Sequence, residues 1–274
     1  MRLVVGCHGP ASVNNEVIGA NITKLLGPDK TSDRREGSNV ESSGDAADGS
    51  GLAAPDGVPQ RLVRATTRLL AEQGPSAIKA RSVASASGLS TMVVYSHFGG
   101  IPELIRAVVD HGFAELDRAF ARVPVTEDPV ADLCAQSLTC RRVACENPHL
   151  YDLMFGLSTR ATYRPISDSA ARLSGRSPAF RGAYAHVAEA CARLVNSGRV
   201  RPEDPEVVAA QLWSFVHGYI SLELADHFVD FDDSVTQVLL PMGVNLVVGM
   251  GDELDRARAS HEAGARLYDS IWPS

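Results

Sequence analysis

Ala80 to Phe98, ARSVASASGLSTMVVYSHF, reads as a short helix, a tight turn at Gly88 and a second short helix that opens at Ser90. Gly88 suits the left-handed conformation that a β-carbon disfavours. The Ser90 hydroxyl is expected to accept a backbone N–H from the first turn of the second helix. This is the grammar of a helix-turn-helix. Val83, Ala84, Leu89, Val94 and Phe98 are the inward candidates. Arg81, Thr91, Met92, Val93, Tyr95, Ser96 and His97 have no common interior to enter, so they are available to a partner, and DNA is the partner this motif serves.

The segments on either side fit a small head built on that motif. QRLVRATTRLLAEQ, residues 60–73, places Leu62, Val63, Thr66, Leu69 and Leu70 on one helical face and Arg61, Arg64 and Arg68 around the other. Gly74-Pro75 ends that helix, and Gly99-Gly100 breaks the second helix of the motif. Pro102 then opens a long helix to about Val123, with an apolar stripe from Leu104 to Phe120. Beyond it, helical periodicity covers about Pro129 to Glu146, His149 to Leu157, Pro178 to Asn196, Pro205 to Asp230 and Asp232 to Met250. No alternating pattern of strand length interrupts them, so the fold class is all-α: a three-helix head followed by a helical bundle. Four regions result. Residues 1–58 are a Ser-, Gly- and Asp-rich extension expected to be disordered, 59–101 the helix-turn-helix domain, 102–251 the helical body, and 252–274 a loosely held helical tail. The polar stretch 158–177 is expected to be a loop, with a lid over a cavity as the sharper alternative.

Charge separates head from body. The chain of 274 residues has a formal net charge of −7, yet residues 60–106 carry six arginines and lysines against Glu72 and Glu103. A basic segment on an acidic body is the footprint of a protein that sets one end on phosphates. Five cysteines, an odd number without C-x-x-C spacing, argue against a disulfide framework and a zinc site and fit a reducing cytoplasm. The apolar run before Cys7 is too short for an export signal, and the run from Leu239 to Met250 is broken by Pro241 and two glycines, so no membrane association is expected.

Several residues in order resemble a family. Leu69-Leu70-Ala71-Glu72-x-Gly74, Arg81-x-Val83-Ala84, Gly88-Leu89-Ser90, Tyr95-x-His97-Phe98 and Glu103-Leu104 together resemble the head of TetR-family transcriptional regulators. Trp213-x-x-x-His217-Gly218 is similar to the W-x-x-x-H-G signature of a C-terminal domain found in many actinobacterial members. The resemblance implies a homodimeric regulator, mostly a repressor, that binds a palindromic double-stranded DNA operator and is released by a small effector held in the body. It implies base or phosphate contact for Arg81, major-groove positions for Thr91, Met92, Val93, Ser96 and His97, and a phosphate for the Tyr95 hydroxyl. Ile101 stands where many members have a phosphate-binding lysine, which leaves phosphate positioning to Arg61, Tyr95 and Lys79.

For the body, Leu138, Arg142, Met154, Phe155, Tyr184, Phe215 and Tyr219 lie on the helices that enclose an apolar effector pocket, although each also reads as core. Trp213, His217 and Gly218 are expected to serve helix packing rather than a ligand. No nucleophile with its base and no metal-ligand spacing completes an enzyme site, and no cofactor is implied. An effector-independent DNA-binding or protein-interaction module is the alternative reading.

Overall fold

The structure is a computed structural model that describes residues 57–155 and 177–273. Of the extension expected over residues 1–58, residues 1–56 lie outside the described residues, as do 158–176 of the loop or lid expected at 158–177, whereas Val58 already belongs to the first helix. Ten α-helices follow in order, and no strand occurs among the described residues. The head consists of α1 (Val58–Gln73), α2 (Ala80–Ser87) and α3 (Thr91–Phe98). The remainder is α4 (Ile101–Phe120), α5 (Pro129–Glu146), α6 (Pro148–Phe155), α7 (Pro178–Asn196), α8 (Pro205–Leu224), α9 (Leu240–Met250) and α10 (Leu254–Ile271).

Prolines set most of the starts. Pro129, Pro178 and Pro205 each occupy a first helical position, where the missing N–H has no partner to lose. Each follows a side chain that caps the helix: Asp128 accepts from the N–H groups of Val130 and Ala131, Ser177 from Phe180, and Asp204 from Glu206. Ser90 precedes α3 but makes no such bond. Only its carbonyl engages, accepting from Val93 N–H at 3.1 Å.

Two differences from the sequence reading have physical causes. The helix from Pro205 ends at Leu224 instead of continuing to Asp230, because Asp226 turns the chain with φ of 59°. The segment after it enters through a short π-helix at Val235–Leu239 before α9 begins. The tail, expected to be loosely held, is instead α10, packed along α5. Ala257, Ser260, His261, Gly264 and Ala265 form its buried stripe. Both ends are tied down. Asp252 pairs with Arg199 at 2.5 Å and with Arg256 at 2.6 Å. At the other end Arg122 donates to Ile271 O at 3.0 Å and lies 3.6 Å over the Trp272 ring.

The interior has two apolar clusters. One holds Leu133, Leu138, Val187, Leu194, Leu212, Val216 and Ile220 of the body. The other joins Leu62, Leu69, Leu70, Val83 and Val94 of the head to Leu104, Ile105 and Val108 of α4 and to Leu150 and Leu153 of α6. The head core therefore extends past residue 101 into two body helices. Gly112 allows this close approach: a β-carbon there would stand 2.6 Å from Met154 Sδ and 3.2 Å from Leu150 Cδ1.

Candidate nucleic-acid interface and internal cavity

Gly88 takes φ 66° and ψ 30°, the left-handed turn that closes α2. Two arginines of α1 reinforce the turn. Arg61 Nη2 donates to Ser87 O at 3.0 Å and Arg68 Nη2 to Ala86 O at 3.3 Å, placing positive charge at the carbonyl end of α2. Arg61, expected from sequence to meet a phosphate, thus also holds the helix-turn-helix angle.

Only Val94 of α3 is fully buried, as the peg that seats the helix. Thr91, Met92, Tyr95, Ser96 and His97 are exposed, and Val93 is half-buried. Thr91 with Tyr95, and Met92 with Ser96, stand one turn apart and share a face. Met92 at 74% and Tyr95 at 53% exposure are large side chains that the fold leaves in water. Lys79 and Arg81 are exposed at the start of α2. Ile101, the departure from the family pattern, packs partly buried against the head core.

Inside the body, a cavity of about 30 Å³ is lined by Phe120 of α4, Leu133, Gln136, Ser137 and Cys140 of α5, Val187 of α7, and Leu212, Trp213, Val216 and His217 of α8. None of the seven residues proposed from sequence lines it. Leu138 is in the core at 3% exposure, and Tyr219 turns away, its hydroxyl on Glu223 at 3.1 Å and Ser234 at 2.7 Å. Phe155 and Tyr184 stand one layer back: Phe155 lies 4.0 Å from the His217 ring and Tyr184 5.3 Å from the Trp213 ring, centroid to centroid. Met154 packs at Gly112, Phe215 is half-buried against the body core, and Arg142 pairs with Glu146 at 2.7 Å. Trp213 and His217, expected to serve helix packing, are among the residues that line the cavity. Gly218 is exposed, and among the described residues nothing lies within 4 Å of the place a β-carbon would take.

His217 is the most constrained polar group there. Burial pushes its pKa down to about 3, so the ring is neutral, and its Nδ1 lies 2.6 Å from the Tyr151 hydroxyl. Burial raises the Tyr151 pKa, which keeps that phenol protonated. Among the described residues, neither His217 Nε2 nor Gln136 Oε1 has a hydrogen-bond partner. The amide of Gln136 donates from its other end to His186 O at 3.4 Å.

The buried thiols are inert by the same physics. Burial pushes Cys134, Cys140 and Cys191 up to about 12, far from the thiolate a redox sensor needs. Among the described residues, no group of His, Cys, Asp and Glu is placed to hold a metal ion, and no helix is long and apolar enough to cross a membrane.

Comparison with known proteins bears on both halves. Residues 62–108 match the family model of bacterial regulatory proteins of the tetR family, and residues 133–241 match that of the tetracyclin repressor-like C-terminal domain. The chain is 38% identical over 61 residues to the HTH-type transcriptional repressor Rv3405c of Mycobacterium tuberculosis, a match covering 22% of this chain and 32% of that protein. Among solved structures, a protein of unknown function from Rhodococcus sp. RHA1 superposes with a TM-score of 0.60 at 19% identity, covering 74% of this chain and 100% of that one. RolR in complex with resorcinol does so with 0.53 at 16% identity, covering 74% and 92%, and CprB from S. coelicolor A3(2) with 0.52 at 15%, covering 79% and 99%. These similarities at low identity speak to the fold. The two family models lie in the order and at the positions of the helix-turn-helix head and the helical body, and the chain belongs to the TetR family of transcriptional regulators.

Proposed function

We propose that the chain is a cytoplasmic, homodimeric repressor that holds a palindromic operator through α2 and α3 and releases it when a small effector enters the body. The observation that carries this reading is the continuity between the exposed α3 face and the cavity. Val94 seats α3 in a core that also contains Leu150 and Leu153 of α6, and Tyr151, between those two in sequence, hydrogen-bonds the cavity histidine. A ligand that displaces His217 acts on α6, and α6 acts on the head packing and on α4 across Gly112. Two heads on one duplex must keep a fixed separation, about one helical turn of DNA, so a small tilt of α4 is enough to lose binding.

In this reading Arg81, Tyr95 and Lys79 contact phosphates, with Arg61 placed to add to them from its position at the turn. Thr91, Met92, Val93, Ser96 and His97 face the base edges. Met92 offers apolar contact, suited to a thymine methyl. Dimerisation is assigned to the outer faces of α8 and α9, where Leu222 and Met242 are exposed together with Val229 and Phe231 of the intervening turn. Selection of genomic fragments by the full chain, followed by footprinting, tests the assignment. A protected palindrome with heads in successive major grooves is expected; absence of any selected site, or binding by a monomer, contradicts it.

A further inference from the structure

The turn that joins α8 to α9, residues 225–233, is apolar at its tip and acidic around it. Val229 and Phe231 are exposed, and Asp226, Asp230 and Asp232 stand in water beside them. The tip rests on a rigid base. Phe231 meets Phe228 edge to face at 5.9 Å, Phe228 stacks on Tyr219 at 5.2 Å, and the Tyr219 hydroxyl is fixed by Ser234 at 2.7 Å and Glu223 at 3.1 Å. Asp226, with φ of 59°, sets the path of the chain at the cost of a left-handed backbone. An aromatic ring presented on a preorganised support loses little freedom when it binds, which suits it to anchor an interface.

A groove of complementary character begins three residues beyond the turn, at Thr236. α9 and α10 lie side by side from the turn at Gly251 and meet closely where Gly243 admits the His261 ring, a β-carbon there standing 2.5 Å from Nε2. Along one side they leave an open groove of about 610 Å³ with Leu240, Val244 and Leu254 in its walls. Arg258 and Arg266 of α10 line it as well. Their acidic neighbours Asp255 and Glu262 lie 3.8 Å away, and both guanidinium groups remain largely in water. The turn does not enter the groove of its own chain, since its apolar tip is exposed. Surfaces that adjoin on one chain can cover each other when two copies pair about a two-fold axis, each turn entering the other's groove.

Resting on the homodimer reading, we propose that the turn between α8 and α9 of one copy docks in the α9–α10 groove of a second copy. Val229 and Phe231 pack against Leu240, Val244 and Leu254, and Asp230 and Asp232 face Arg258 and Arg266. The contact draws α10, which packs along α5, into the dimer.

Sedimentation velocity of the full chain tests this with two pairs of charge reversals, Asp230→Arg with Asp232→Arg in the turn and Arg258→Glu with Arg266→Glu in the groove, each checked for an unchanged far-ultraviolet circular dichroism spectrum. Either variant alone sets like charges across both contacts and is expected to raise the dimer dissociation constant at least about tenfold. In an equimolar mixture every turn meets a groove of opposite charge, so heterodimers are expected at close to the parent affinity. If a charge variant does not fold, Phe231→Ala, which removes the anchoring ring, is expected to weaken the dimer by a similar factor. A dimeric parent with variants that dimerise as well as it does overturns the docking and leaves the homodimer reading standing. A mixture no more dimeric than its parts overturns the pairing of turn with groove. A monomeric parent overturns both readings.

Discussion

One methyl group at position 264 should loosen α10 from α5. An ideal β-carbon on Gly264 would lie 2.5 Å from the Ala131 carbonyl oxygen and 2.6 Å from Cys134 Cβ. The nearest of these is backbone and the other is the stem of a buried side chain, so neither can rotate away. Relief requires the two helices to separate, and such overpacking costs about 1–3 kcal/mol. Alanine recovers about 0.5–1 kcal/mol of helix propensity in return. Gly264→Ala is therefore expected to be destabilised by about 1–2 kcal/mol net, which for a chain of this size lowers Tm by about 2–4 °C per kcal/mol. Thermal unfolding followed by circular dichroism measures this. A Gly264→Ala protein as stable as the parent would refute the packing of α10 and return residues 252–274 to the status of a loose tail.

Other consequences come from the same geometry. Glu223 sits buried between Arg141 at 2.8 Å and the hydroxyls of Tyr219 and Ser234, so Glu223→Leu removes the carboxylate that pairs with the Arg141 guanidinium and should cost about 3 kcal/mol in urea unfolding. His217 is held neutral to about pH 3, whereas in the unfolded chain it takes a proton near pH 6.5. The unfolded state then binds the extra proton, so stability is full above pH 6.5 and falls as pH drops towards 3. The slope approaches about 1.4 kcal/mol per pH unit, and His217→Phe should flatten it. Burial by itself would raise the carboxyls of Asp128 and Asp252, but hydrogen bonds, from Ser260 to Asp128 and from Arg199 to Asp252, hold both below the ordinary value. Their contribution is present above about pH 4 and lost as the solution is acidified below it, a step that Asp252→Asn should remove from an acid-unfolding curve. Met92→Ala should leave Tm unchanged while altering operator preference in a fragment selection, since the side chain touches water and not core.

The head was legible because its signals are local. Gly88, Gly99 and Val94 each act within one turn of the chain, and prolines at 129, 178 and 205 announce helix starts wherever they fall. The cavity was not. Its two unpartnered atoms sit on helices 81 residues apart in sequence, and which apolar positions face it depends on the angle between α5 and α8. Met154, Phe155 and Tyr184 have the right chemistry for a pocket, yet they back its walls. The tail misled for a different reason: apart from His261, its buried stripe is Ala257, Ser260, Gly264 and Ala265, small residues that bury by close approach and leave little trace in a hydrophobic pattern. The extension of the head core into Leu150 and Leu153 was equally hidden, because those residues return to the head from some forty positions downstream of the Leu104 to Val108 segment they meet.

Whether the exposed face of α2 and α3 holds DNA is decided by fluorescence anisotropy of operator binding, at two salt concentrations, for the parent chain and an Arg81→Ala, Tyr95→Phe double variant. The parent should bind a selected palindrome as a dimer with affinity that falls steeply with salt, and the variant should bind at least about tenfold more weakly with a shallower salt dependence and an unchanged Tm. Undiminished binding by the variant would contradict the assignment of that face to DNA.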